Sequence, residues 1–299
     1  MKTRIYKLKF LLLSVFLNNY CINGVFSQTL KSDDWKQPGF FIGGGLGIAT
    51  TQIINEADKD ITISQATNRS SIIGSVEMGY FFSRYLGLTA GVNYNQYRSG
   101  FYIDTYQHIF NTFDIENDPY ELRILGNDIE EIQQFEILSI PFCINLRMPL
   151  SKVIGTYLLT GINFYVPIDE FYESAGTFTY KGYFPEYNVV LEDLPEYGFP
   201  SDARIQSEGA PELKPMSYGF VASLGFDYLY NKRVQVIMAA YFDRSFSGVL
   251  ADTQTGEFYL TTNAEHLNSI LGCANKVTLQ SFGLKIGVRY YLTDYNKFK

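Results

Sequence analysis

The chain has 299 residues, 46% of them hydrophobic and 16% aromatic, with 24 Tyr, 24 Phe, 25 Gly and a single Trp. Its net charge of −7 argues against nucleic acid as a partner, because binding phosphate demands a basic surface. Length alone allows one or two domains, and the Tyr, Phe and Gly load favours β structure over helix.

The chain opens on the cationic MKTRIYKLK, followed by the apolar FLLLSVFL (Phe10–Leu17) and by Val25-Phe26-Ser27 before Gln28. This pattern predicts a secretory signal peptide over residues 1–27. The apolar run is too short to cross a bilayer as a helix, which takes about 20 residues. Cys21 raises the question of a lipid anchor, but Asn18-Asn19-Tyr20 is the wrong lead-in for one. Removal of residues 1–27 takes four cations and no acid, leaving 20 basic and 31 acidic side chains, a net charge of −11. The remaining Cys143 and Cys273 lie in unlike segments, which disfavours a disulfide framework. No later run reaches 18 uncharged apolar residues, yet strands can still span a membrane, with a weaker signal per segment.

Residues 28–38 read as a lead-in to eight segments in which bulky apolar residues alternate with small or polar ones: 39–53, 70–83, 85–98, 134–148, 153–166, 216–229, 233–247 and 278–292. Strict alternation marks a strand with two unlike faces. The third segment shows Leu86, Leu88, Ala90, Val92 and Tyr94 against Gly87, Thr89, Gly91, Asn93 and Asn95. The first places Gly43, Gly45 and Gly47 on one side. Connections are alternately short, as at Ser83-Arg84, Pro149–Lys152 and Tyr230–Lys232, and long, at 54–69, 99–133, 167–215 and 248–277. That rhythm predicts an all-β, eight-stranded antiparallel up-and-down barrel whose two rims differ.

Alternation does not say which face is inside. A soluble barrel buries the apolar face, whereas a membrane barrel turns it to lipid. The polar rows here are rich in Gly, Ser and Asn, the apolar rows carry no charge, and an eight-strand interior suits small residues better than rows of rings. Aromatics also crowd the strand ends, as at Tyr80, Phe82, Tyr85, Tyr228, Tyr230, Tyr290 and Tyr291, which suits interfacial girdles. The expectation is a transmembrane barrel with short periplasmic turns and long extracellular loops, in the outer membrane of a Gram-negative cell.

The last strand, Lys285-Ile-Gly287-Val-Arg-Tyr290-Tyr-Leu292, resembles the C-terminal recognition signal of outer-membrane barrels. The resemblance implies that Lys285, Gly287, Tyr290 and Leu292 form an assembly signal read by the barrel-assembly machinery. The chain departs from the pattern by continuing through residues 293–299 as a tail. Over residues 39–292 the layout resembles the outer-membrane protein β-barrel domain family, which includes PorT-like proteins and small OmpA-type barrels. Membership implies an outer-membrane location, contact with outer-membrane lipid, and for many members no known activity.

Inward charges are the first candidates for chemistry. By the alternation they are Glu77, Arg147, Asp227, Asp243, Lys285 and Arg289. Three acids would balance three bases, with Glu77, Asp227 and Asp243 available to meet the cations. Such a network would plug the lumen, because an unpaired charge there costs several kcal/mol. His108 and His266 fall in predicted loops, and no spacing pairs either with a positioned Ser, so no catalytic residue is expected. Cys143 and Cys273 have no partner at zinc-ligand spacing, and DIENDPYE (Asp114–Glu121) has Pro119 where a calcium loop needs Gly. No cofactor and no metal site are expected. Residues 99–133 carry eight acids against Arg123 alone, and 167–214 carry ten against Lys181, Arg204 and Lys214. The second stretch holds the phrases FPEY (Phe184–Tyr187) and LPEY (Leu194–Tyr197). Tyr and Pro supply rigid contact area and carboxylates select a basic partner. The reading is a non-enzymatic scaffold whose outer loops meet an unidentified protein partner, within a secretion or surface-assembly system. A small porin-like diffusion channel is the chief alternative, and a lipid- or peptide-hydrolysing enzyme the next.

Overall fold

The computed structural model describes residues 39–57, 63–231, 233–251 and 259–292. The expected signal peptide, the expected lead-in to Pro38 and the expected tail 293–299 lie outside the described residues, as do Cys21 and the side chain of Cys273.

Ten strands occur in chain order: β1 (Gly39–Ala57), β2 (Ser64–Phe81), β3 (Leu86–Phe113), β4 (Pro119–Pro149), β5 (Ile154–Phe184), β6 (Val189–Leu191), β7 (Ala203–Gly209), β8 (Ser217–Leu229), β9 (Val234–Ser245) and β10 (Ala274–Tyr291). Eight form a closed antiparallel ring in the order β1-β2-β3-β4-β5-β8-β9-β10, with β10 returning to β1. All eight alternating segments of the sequence fall on these strands. Among the described residues, the small strands β6 and β7 pair only with the outer half of β5.

Each short turn is tied by one polar side chain. Ser83 Oγ accepts from the Tyr85 and Leu86 amides, Ser151 Oγ from Val153 and Ile154, and Asn231 Oδ1 from Arg233 and Val234. Ser and Asn suit this role because their short side chains reach backbone amides two or three residues on.

The apolar rows point outward. Leu46, Ile48, Ile72, Val76, Met78, Leu88, Phe142, Ile162, Leu224, Phe226, Met238, Leu284 and Ile286 are all about half or more exposed, and they run around the ring as a belt. Burial in water could not hold such a surface, whereas lipid demands it. The inward row consists of Ser75, Glu77, Thr89, Asn95, Ser139, Asn145, Asn163, Asp227, Ser281 and Arg289, all buried.

A transmembrane strand takes about 9–11 residues. β3, β4 and β5 have 28, 31 and 31. Beyond the belt they continue outward as one sheet, paired from Asn93↔Ser139 to Phe113↔Pro119 and from Leu138↔Val166 to Glu121↔Tyr183. Residues 99–133, expected to be a loop, are therefore a β-hairpin, and much of 167–215 is β5, β6 and β7. The inner face of the extension explains why it folds. Phe101, Ile103, Leu122, Ile124, Ile129, Phe135, Phe178 and Tyr180 are buried there with Leu260, Leu267, Ile270 and Leu271 from the β9–β10 connection. Each such side chain contributes about 1.5–3 kcal/mol when fully buried, enough to hold the described residues 259–273 of that connection against the inner face of the extended sheet.

Candidate functional site

The site is the charged lumen, and β1 sets its floor. Gly43 lies opposite Glu77 on β2 and Arg289 on β10, and Gly47 opposite Lys285. A Cβ on Gly43 would sit 2.9 Å from the Val288 carbonyl oxygen, 3.1 Å from Arg289 Cγ and 3.3 Å from Glu77 Cγ. The glycine lets the long side chains from either neighbour fold across β1 and meet. Arg289 Nε donates to Glu77 Oε1 at 2.6 Å, and Lys285 Nζ lies 3.7 Å from Glu77 Oε2. The Arg289 guanidinium is also 5.0 Å from the Phe41 ring centre and 4.9 Å from that of Tyr157.

A second pair sits toward the short-turn end. Arg147 Nε is 3.1 Å from Asp227 Oδ2. Gln235 binds both members, donating to Asp227 Oδ2 at 2.7 Å and accepting from Arg147 Nη2 at 3.3 Å. Tyr291 donates to Gln235 Oε1 at 3.0 Å and accepts from Arg147. Arg147 also stacks 3.8 Å from the Phe81 ring centre. Phe41, Phe81 and Tyr291 pack with centroid separations of 5.7–6.5 Å. Rings and guanidinium together block this end of the lumen.

The sixth charge behaves otherwise. Asp243, expected to meet a cation, instead accepts from Tyr97 Oη at 2.9 Å. The register explains the difference: Asp243 faces Ser281, four residues along β10 from Lys285, or about 13 Å at the strand rise. Between the two levels lies a cavity of about 50 Å³ lined by Glu77, Cys143, Tyr157, Asp243, Lys285 and Arg289 among others. Gln235 and Tyr97 were not singled out from the sequence, though alternation places Gln235 on the inner face beside Ile237. Tyr291, read as a girdle residue, turns inward; Tyr290 and Leu292 face out, 40% and 56% exposed.

Above the membrane a further polar knot appears. Glu131 is buried and receives Ser174 Oγ at 2.5 Å, Gln133 Nε2 at 2.6 Å, Ser269 Oγ at 2.8 Å and the Ile270 amide at 2.7 Å. It thus holds the short 3₁₀ turn Ile270–Cys273 against the sheet. Burial pushes its carboxyl above the ordinary value, against the pull of these donors. The histidines are not simply solvated. His108 lies against Tyr106, Phe110 and Tyr259. His266 Nδ1 is 3.3 Å from Ser207 Oγ, a contact across 59 residues that sequence spacing could not reveal. Asp114 Oδ1 accepts from the Glu116 and Asp118 amides, so DIENDPYE is the tied turn of the β3–β4 hairpin. The FPEY phrase enters the β5–β6 turn and LPEY the 3₁₀ turn Pro195–Tyr197.

A family model described as outer membrane protein beta-barrel domain matches residues 26–251. No curated protein matches the chain. Among solved structures, the outer membrane protein OprG from Pseudomonas aeruginosa aligns at 13% identity over 87% of this chain and 98% of its own, with a TM-score of 0.38. Neisserial surface protein A aligns at 12% identity over 85% and 98%, also at 0.38. The attachment invasion locus protein Ail of Yersinia pestis aligns at 10% identity over 84% and 99%, at 0.32.

Proposed function

The chain belongs to the outer membrane protein beta-barrel domain family, and from that premise we propose that it is a closed-lumen scaffold presenting a folded platform at the cell surface. It lies in the cell outer membrane. The observation that carries the reading is the continuation of β3, β4 and β5 past the lipid belt over their own buried core. Transport alone does not need such a body, whereas recognition does.

Two features make the platform a surface for a protein partner. Its rim exposes Phe113, Ile115, Tyr187, Val190 and Tyr197 amid an excess of carboxylates, a mixture suited to a partner with basic and apolar groups. Beyond Tyr102, β3 pairs only with β4 among the described residues, leaving an edge that offers backbone groups to an added strand. The partner belongs to a secretion or surface-assembly system in this reading. The last strand, with Lys285, Gly287, Tyr290 and Leu292, serves the barrel-assembly machinery.

The lumen argues for a scaffold over a channel. Its cavity of about 50 Å³ admits only a few waters, an aromatic block lies at one end, and the buried cluster of the extended sheet lies at the other. The test is planar-bilayer recording of the refolded protein beside surface cross-linking in cells. No steady conductance, with a cross-linked complex lost in Phe113→Ser/Ile115→Ser, is expected. A stable conducting step would establish the diffusion channel instead. Hydrolysis of lipid or peptide that disappears in Ser207→Ala would establish an enzyme.

A further inference from the structure

We propose that the outer edge of β3 binds an extended, strand-forming segment of another polypeptide that carries Lys or Arg at both of its ends, an inference that rests on the platform reading and names the kind of partner it takes. Among the described residues, the cap has edges on β3, β6 and β7 that no strand covers. β6 is three residues long, too short to template a strand. β7 exposes Arg204, Gln206 and Glu208, a charged row of the kind that keeps an edge from pairing. β3 has no such protection. From Thr105 to Phe113 it reads TYQHIFNTF, nine residues without Lys, Arg, Asp, Glu, Pro or Gly and rich in β-branched and aromatic types. On an edge, that composition favours pairing with another strand.

Charge selects the occupant. Asp104 stands exposed at one end of the stretch, and Glu116 stands exposed just beyond the other, between Asp114 and Asp118. No Lys or Arg occurs from residue 99 to residue 122. A second copy of this chain is disfavoured for that reason. Paired antiparallel over the same nine residues and centred on Ile109, it would set Asp104 opposite Asp114 at both ends, and like charges directly opposite are destabilising. A parallel copy would stack each acid on its own counterpart. A strand with a cation at each end meets attraction at both. Asp104 and Asp114 are ten residues apart in the chain, about 34 Å at the strand rise, which fixes the spacing of the cations. Between them the outward row presents Ile109 and Phe113, 60% and 63% exposed, which suits β-branched or aromatic residues on the same face of the incoming strand. Backbone pairing then supplies affinity, and the charged ends supply register and selectivity.

The test uses the refolded full barrel in micelles and a labelled synthetic peptide of nine alternating Thr and Val residues between Lys pairs. Binding, read by fluorescence anisotropy, should raise the hydrogen-exchange protection of amides within residues 105–113. Replacing the peptide's Lys by Glu should weaken binding by about tenfold or more, and so should Ile109→Lys, which puts a cation at the centre of the exposed row. No binding overturns the proposal, as does binding that leaves 105–113 unprotected, or equal binding by the Glu peptide or by Ile109→Lys. Where Ile109→Lys does not refold, exchange and the two peptides on the parent decide. The platform reading fails separately: a cysteine at Ile115 that reacts with an impermeant reagent only after lysis sinks it and leaves the peptide result standing.

Discussion

At the scale of single residues, the lumen rests on one carboxylate and one glycine. Glu77 touches both Lys285 and Arg289, and removing it strands two cations in a closed interior. Glu77→Gln should destabilise the barrel by about 3–5 kcal/mol, the usual cost of leaving a buried charge unmatched. Urea unfolding of the refolded protein in micelles reads this, and an unchanged midpoint would show that Glu77 does not hold the lumen together. Gly43 makes the pair possible. Its Cβ would press on a backbone oxygen and on both partners, so Gly43→Val forces Glu77 and Arg289 apart at an expected cost of about 1–3 kcal/mol. Gly44 faces lipid with only a carbonyl oxygen at 3.4 Å. The same substitution there should cost less, and an equal loss at both positions would contradict the account.

At the scale of elements, Glu131 joins β4, β5 and the β9–β10 connection. Its burial raises its folded-state pKa, so between the ordinary value of 4.5 and the raised one the folded cap binds more protons than the unfolded chain. Cap stability therefore falls as pH rises through that window and is greatest below it. Glu131→Gln should remove the pH dependence while retaining most of the hydrogen bonds, and Glu131→Ala should loosen residues 269–274 at every pH. Protection factors of that segment at pH 4 and pH 7, each taken against the intrinsic exchange rate at that pH, check both; lower protection at pH 4 than at pH 7 in the parent would reverse the assignment. The eight ring strands were legible because period-two alternation is uninterrupted within the belt. The extension was not, for a local reason. The inward row slips by one residue between Ile103 and Tyr106 on β3 and between Gly126 and Ile129 on β4, where Asp128 takes a φ of 52°. Acids on the outer row, and Glu131 and Gln133 on the inner one, complete the disguise. In the lumen, alternation identified all six charges as inward. It could not give their height, so Asp243 was assigned to the wrong neighbours.

At the scale of the whole molecule, the two ends of the barrel carry different loads. The short turns need only a Ser or Asn each, while the other end spends about half of the chain on the cap. This orientation has a direct check. A cysteine at Ile115, fully exposed at the hairpin tip, should react with a membrane-impermeant maleimide on intact cells, and one at Tyr230 in a short turn should react only after lysis. The reverse pattern would invert the topology. The length of β4 then acquires a meaning of its own. From Leu138, at the lipid boundary, to Pro119 is 19 residues, about 60 Å at the strand rise and roughly 45 Å of height at a barrel tilt near 40°. In the proposed orientation, a stalk that tall would carry its tip clear of the sugars nearest the lipid, within range of antibodies, phage fibres and the surfaces of neighbouring cells.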